Sequence, residues 1–163
     1  QIQPDDRPSR TNLGVVFAEL GQHEKAIEEY LAAMELGEPN ERLLLNLIRS
    51  LGKEKRYREA VNAARTLVRI APSSNGYERL GWARFKVGEY DKSMDAYRQA
   101  VEWDSQNWVA WRGVGVNALN EWLRSDKKDA DAARQAKEAF RKSLRINADQ
   151  PKVVTVMSNY GLR

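Results

Sequence analysis

Asn12 and Asn46 stand 34 residues apart, and Arg79 follows 33 residues later. A carboxamide donates and accepts at once, so it can bridge the N–H and C=O of an extended backbone. A guanidinium pairs with a carboxylate through two parallel hydrogen bonds. Arg42, Arg49 and Arg112 fall on neighbouring turns of the same pattern. Side chains of these types hold a ligand and do not turn it over. Reactive groups are scarce. His23 is the one histidine and falls at a turn between two helices, and the chain has no cysteine for a thiol nucleophile, a thiolate ligand or a disulfide. No glycine-rich phosphate loop, metal-ligand cluster or nucleophile elbow occurs. The carboxylate pairs Glu28-Glu29 and Glu54/Glu59 read as charged helix faces. The expectation is a chain that is not an enzyme, with no catalytic residue, metal or cofactor.

The 34-residue interval belongs to a longer pattern. The site of Gly14 recurs at Ile48, Gly81 and Gly115. A fixed period of that length marks a stacked helical array. Within a period the apolar residues follow helical spacing. Ala26, Ile27, Tyr30, Leu31 and Met34 form one stripe, and Ala60, Val61, Ala64, Leu67 and Val68 form another. Gly21, the stretch 37–40, Pro72 to Gly76, Gly88 and Ala148 to Pro151 break the helices. The pattern predicts antiparallel pairs of helices. Gly14, Gly81 and Gly115 sit on first helices, and Ala26, Ala60 and Ala136 are expected to answer them from second helices, with aromatic rings filling the wider gaps. Glycine inside a helix costs about 1 kcal/mol against alanine, so close packing has to offset it.

Bulk properties narrow the partners. The chain has 163 residues, 42% of them hydrophobic, enough for one domain of ordinary size. A net charge of +4 permits acidic partners, but the basic residues alternate with acidic ones and form no stripe for nucleic acid. No apolar run approaches the roughly 18 residues of a membrane span, and no signal-peptide pattern opens the chain. Location stays open between cytoplasm and periplasm. The opening Gln1-Ile2-Gln3-Pro4-Asp5-Asp6 is similar to the end of a repeat, as at Ile70-Ala71-Pro72, and suggests a piece of a longer array.

Leu13-Gly14, Phe17, Gly21, Ala26, Tyr30 and Ala33, with their returns at Leu47-Ile48 to Pro72, Leu80-Gly81 to Ala100 and Trp111 to Leu144, resemble the tetratricopeptide repeat. The resemblance covers about 7–40, 41–73, 74–107 and 108–150, the last with some nine extra residues near 122–132. It implies an all-α fold, a right-handed superhelical α-solenoid of antiparallel helix pairs, forming a single domain over 1–163. Residues 151–163 read as one more helix, Lys152 to Tyr160, either a cap or half of a truncated repeat. Ile48 departs from the usual small residue, and Arg84 stands at a usual aromatic site.

In that family first helices line a concave groove that takes a partner's peptide or helix. The residues implied for it are Thr11, Asn12 and Val15; Arg42, Leu45, Asn46 and Arg49; Asn75, Glu78, Arg79 and Trp82; and Val109, Arg112, Gly113 and Val116. Asn12 and Asn46 resemble the asparagine ladder with which some members hold extended peptides, and the arginines favour an acidic segment. Asn46 and Arg79 also match two sites of the family's carboxylate clamp, but Thr11, Val15 and Asn75 do not, so that clamp's chaperone partner does not carry over. Trp111 and Trp103 read as packing. Trp82 is either a peptide anchor or core, and Trp108 is open in the same way. The expected function is a protein-interaction scaffold whose peptide-binding residues are Asn12, Arg42, Asn46, Arg49, Arg79, Trp82 and Arg112. Its partner is a protein or peptide, with no nucleic acid and no membrane insertion. The alternatives are self-association into a homo-oligomer and a non-catalytic, substrate-presenting arm of a larger enzyme.

Overall fold

The computed structural model describes residues 6–162. The reading of Pro4 as the close of a repeat lies outside them. The described residues form helices joined by turns, in two compact units that divide between Pro72 and Ser73.

The first unit holds α1 (Arg7–Glu19), α2 (His23–Glu35), α3 (Glu41–Lys53) and α4 (Tyr57–Ile70). The second holds α5 (Ser74–Lys86), α6 (Tyr90–Trp103), α7 (Trp108–Arg124), α8 (Ala130–Ile146) and α9 (Pro151–Asn159). In the first three pairs the first and second helices start differently, whereas in the fourth both are capped, α8 by Asp129, which accepts from the amide of Ala132. At α1, α3, α5 and α7 a side chain caps the first turn: Asp6, Asn40, Ser73 and Asn107 accept from the amides of Ser9, Leu43, Gly76 and Ala110. At α2, α4 and α6 no side chain does so. These helices leave a tight turn whose last residue lies in the left-handed region: Gly21, Lys55 and Gly88, with φ of 73°, 57° and 81°. The following amides of Gln22, Arg56 and Glu89 reach back to the carbonyls of Phe17, Leu51 and Arg84 at 2.8, 2.9 and 3.0 Å, which closes the preceding helix.

Packing follows the period with one revision. The glycines of the first helices are answered by aromatic rings rather than by alanines. A Cβ on Gly14 would lie 2.5 Å from Tyr30 Cε1, one on Gly81 2.9 Å from Tyr97 Cδ2, and one on Gly115 2.6 Å from Phe140 Cδ1. The rings sit four residues beyond Ala26, Ser93 and Ala136, which are themselves fully or almost fully buried. The second pair reverses the sizes. Ile48 stands at the glycine site and Ala64 at the register of the ring, and both are buried. A large-for-small exchange in both partners conserves volume, which is the change a core tolerates best.

The extra residues of the fourth pair lengthen its helices. α7 and α8 have 17 residues each, against 13 in α5 and 14 in α6. The polar turn between them carries Asp126 and Lys127 at positive φ, and Ser125 donates to Trp122 O at 2.7 Å. α9 places Val153 and Met157, with Leu162, in a cluster with Ala118, Leu119, Ala136 and Phe140. Trp103 differs from expectation. It is 56% exposed at the end of α6 and contributes little to packing.

Candidate functional site

In unit 1, Arg42, Asn46 and Arg49 lie at i, i+4 and i+7 of α3, and so share one helix face. Both arginines are exposed, and neither forms an ion pair with a described residue. Asn46 is half-buried between them, and Asn12 is exposed on α1. Tyr30 of α2 is fully buried, and its hydroxyl has no hydrogen-bond partner among the described residues. Burial pushes the phenol above its ordinary pKa, while the charges of Arg49 and Arg42 pull it down and Glu19 adds to the rise. Arg10 is occupied elsewhere, 2.9 Å from Glu29.

In unit 2 the cations are partly answered. Arg79 is exposed on α5, 3.8 Å from Glu78 Oε1. Glu78 is 9% exposed, and its other oxygen accepts from Asn107 Nδ2 at 3.2 Å. Arg112 of α7 is half-buried, with its guanidinium 5.0 Å from the centre of the Trp108 ring. Burial and the Glu78 carboxylate raise the Tyr97 phenol, against Arg112 and Arg79, which lower it. Trp82 is half-buried and packs against the cluster of Tyr97, Ala100, Ala110, Val114 and Ala139. Trp111 packs on the same cluster and donates from Nε1 to Ser105 O at 2.9 Å.

The structure thus brings Arg42, Asn46 and Arg49 together on one unit and places Arg79, Trp82 and Arg112 on the other. Two residues implied for the binding face are buried instead. Glu78 lies under Arg79 and Asn107, and Gly113 lies under the ring of Tyr97. The tyrosines were legible as core. Their hydroxyls, lying within the field of the arginines, were not, because the period gives a register and not a depth. No helix of the described residues is long and apolar enough to cross a membrane.

Comparison with known proteins follows the same lines. The sequence pattern described as "Tetratricopeptide repeat" matches residues 8–38 and 75–107. The chain is 37% identical over 109 residues to "Heat shock protein STI1" of Saccharomyces cerevisiae, which covers 66% of this chain and 18% of that protein. It is 31% identical over 117 residues to "Small glutamine-rich tetratricopeptide repeat-containing protein 2" of Mycosarcoma maydis, which covers 70% of this chain and 33% of that one. The chain therefore spans a third or less of the length of these curated relatives. Among solved structures, MamA of Desulfovibrio magneticus superposes with a TM-score of 0.75 at 22% identity, over 90% of this chain and 78% of that one, a likeness of fold. The helix pairs, the glycine–ring contacts and these matches make the chain a member of the tetratricopeptide-repeat family, a helical-repeat module for protein–protein interaction.

Proposed function

We propose that the chain binds an extended, acidic segment of a partner protein on the first-helix face of unit 1, and that unit 2 offers a second such face. The observation that carries this reading is the pair Arg42 and Arg49, exposed on either side of Asn46 and without a carboxylate partner among the described residues. The amide of Asn46 supplies donor and acceptor for a backbone, and the flanking guanidiniums supply charge for acidic side chains. On unit 2, Arg79 and Arg112 provide cations and Trp82 an aromatic surface.

The test is binding of a labelled peptide of alternating glutamate and glycine, with its glutamine counterpart as control. Asn46→Ala/Arg79→Ala and Arg42→Ala/Arg49→Ala are compared with the wild type, and light scattering follows the mass. Weaker binding at unchanged mass supports the proposal. Unchanged binding with altered mass favours the self-association alternative. That alternative has its own surface on α1 and the residue that follows it, where Leu13, Val16 and Leu20 are 40%, 48% and 65% exposed.

A further inference from the structure

Unit 2 contains an open cleft of about 270 Å³ walled by α6, α7 and the start of α8. Four carboxylates line it: Asp91 and Asp95 of α6, Glu121 of α7 and Asp129, the N-cap of α8. Asp129 is committed to the amide of Ala132 at 2.9 Å. Asp91, Asp95 and Glu121 are exposed and form no ion pair with a described residue. Arg98 also lines the cleft, but its guanidinium donates to Gln135 Oε1 at 3.0 Å and to no carboxylate. The cleft is thus acidic in a chain whose net charge is +4.

A second observation points to a ligand that donates hydrogen bonds. Asn117 lines the cleft and is only 4% exposed. Its Nδ2 donates to Ser93 Oγ at 3.1 Å and to Gly113 O at 3.0 Å. Its Oδ1 is buried with no partner. A buried acceptor left unmatched is unfavourable, and a donor entering the cleft would complete it.

Unit 1 shows what the same register holds when it is filled. Ala60 and Ala136 are equivalent in the period, and four residues before them stand Arg56 and Ala132. In unit 1 the guanidinium of Arg56 lies 2.8 Å from Glu24 Oε2 and 2.7 Å from Glu59 Oε2. Glu24 is the counterpart of Asp91, 67 residues earlier, the same interval that separates Gly14 from Gly81. In unit 2 an alanine takes the place of that arginine. Ala132 lines the cleft, and Asp91 keeps its carboxylate without the intramolecular cation.

We infer that this cleft receives the guanidinium of an arginine in a basic segment of a partner protein, in the seat that Arg56 fills from within unit 1. Asp91 and Glu121 flank the cation, Asn117 Oδ1 accepts an N–H, and Met94 and Ala118 give the arginine stem an apolar wall. A planar fork of fixed donors suits three acceptors at different angles better than a single ammonium does. The site differs in sign from the first-helix faces, so it recruits a basic segment where those faces recruit an acidic one.

The test uses a blocked Gly-Arg-Gly-Arg-Gly peptide and its citrulline counterpart, which keeps the shape and loses the charge. Binding is read from ¹H–¹⁵N spectra of the chain. The arginine peptide is expected to shift the Asn117 side-chain amide and the backbone amides of Asp91 and Glu121 saturably, with citrulline weaker by about tenfold or more. Asp91→Asn/Glu121→Gln, both exposed, should weaken the arginine peptide by a similar factor. Ala132→Arg should supply the cation from within and abolish the shifts, with helical circular dichroism retained. Equal shifts from citrulline, or full affinity in Asp91→Asn/Glu121→Gln or in folded Ala132→Arg, would overturn the proposal. If Ala132→Arg fails to fold, the carboxylate variant and the citrulline peptide decide.

Discussion

Gly113 leaves room for the ring of Tyr97: a Cβ on Gly113 would stand 2.3 Å from Cε1 and 2.4 Å from Cζ. The same ring covers Gly81, where a Cβ would stand 2.9 Å away. One side chain of α6 therefore fits against both α5 and α7. Gly113→Ala gains about 1 kcal/mol of helix propensity, but overpacking of this kind costs about 1–3 kcal/mol or more. Net destabilisation is expected in urea or thermal unfolding. A variant as stable as the wild type would show that the ring yields freely.

Ser93 stands where the other pairs have Ala26, Ala60 and Ala136, so it adds a hydroxyl to a site that needs only a small residue. That hydroxyl donates to Gly81 O at 2.8 Å and accepts from Asn117 Nδ2 at 3.1 Å. Ser93→Ala leaves no cavity beyond an oxygen, and Asn117 keeps its bond to Gly113 O. A loss of about 1 kcal/mol is expected for the bonds removed. In Asn117→Ala the same substitution should cost less, since one of the two bonds is already gone. Equal costs in both backgrounds would show that the two side chains do not couple.

The period located every helix pair because each pair repeats the same small-residue and turn signals. It also registered the fourth pair's extra residues, which became longer helices because the segment keeps helical spacing up to Arg124 and again from Ala130. It misled where register and depth part company. Gly113 shares a register with Asn12, Asn46 and Arg79 and so was implied for the binding face, yet its missing side chain is what Tyr97 requires. Glu78 looked like an exposed carboxylate one residue before Arg79, yet Asn107 and Arg79 hold it at 9% exposure. Trp103 looked like packing and is exposed because it is the last residue of α6. Such outcomes depend on side chains from other helices, which a one-dimensional pattern does not contain.

Arg56 and Glu59 make a pH-dependent contribution in unit 1. Two hydrogen bonds from the guanidinium, at 2.7 Å each, hold the Glu59 carboxyl below its ordinary pKa of 4.5. A group whose folded pKa is depressed stabilises the fold above the unfolded pKa and loses that effect as pH falls through the folded value. The wild type should therefore lose stability relative to Glu59→Gln as pH drops below about 4.5. Both side chains are largely solvated, so the difference is expected at or below about 1 kcal/mol. Parallel unfolding curves of the two proteins from pH 6 to about pH 2 provide the check, and curves that stay parallel throughout would show that the pair contributes nothing.

The two units should contribute unequally to binding an acidic peptide. Arg42 and Arg49 face solvent without a carboxylate partner among the described residues, whereas Arg79 lies 3.8 Å from Glu78 and Arg112 stacks on Trp108. A cation that must first release an internal partner returns less on binding than one that is only hydrated. Arg42→Ala/Arg49→Ala is therefore expected to weaken a glutamate-rich peptide by about tenfold or more, and Arg79→Ala by only a few-fold. Glu78→Gln should then strengthen binding, because it leaves Arg79 unopposed while the amide can still meet Asn107. Raising ionic strength from about 0.05 to 0.5 M should reduce the wild-type affinity and compress all three differences, since the attraction is screened over a few ångströms at high salt. Affinities measured across that series for the four proteins test the ranking. A larger loss from Arg79→Ala than from the unit 1 pair would assign the acidic segment to unit 2.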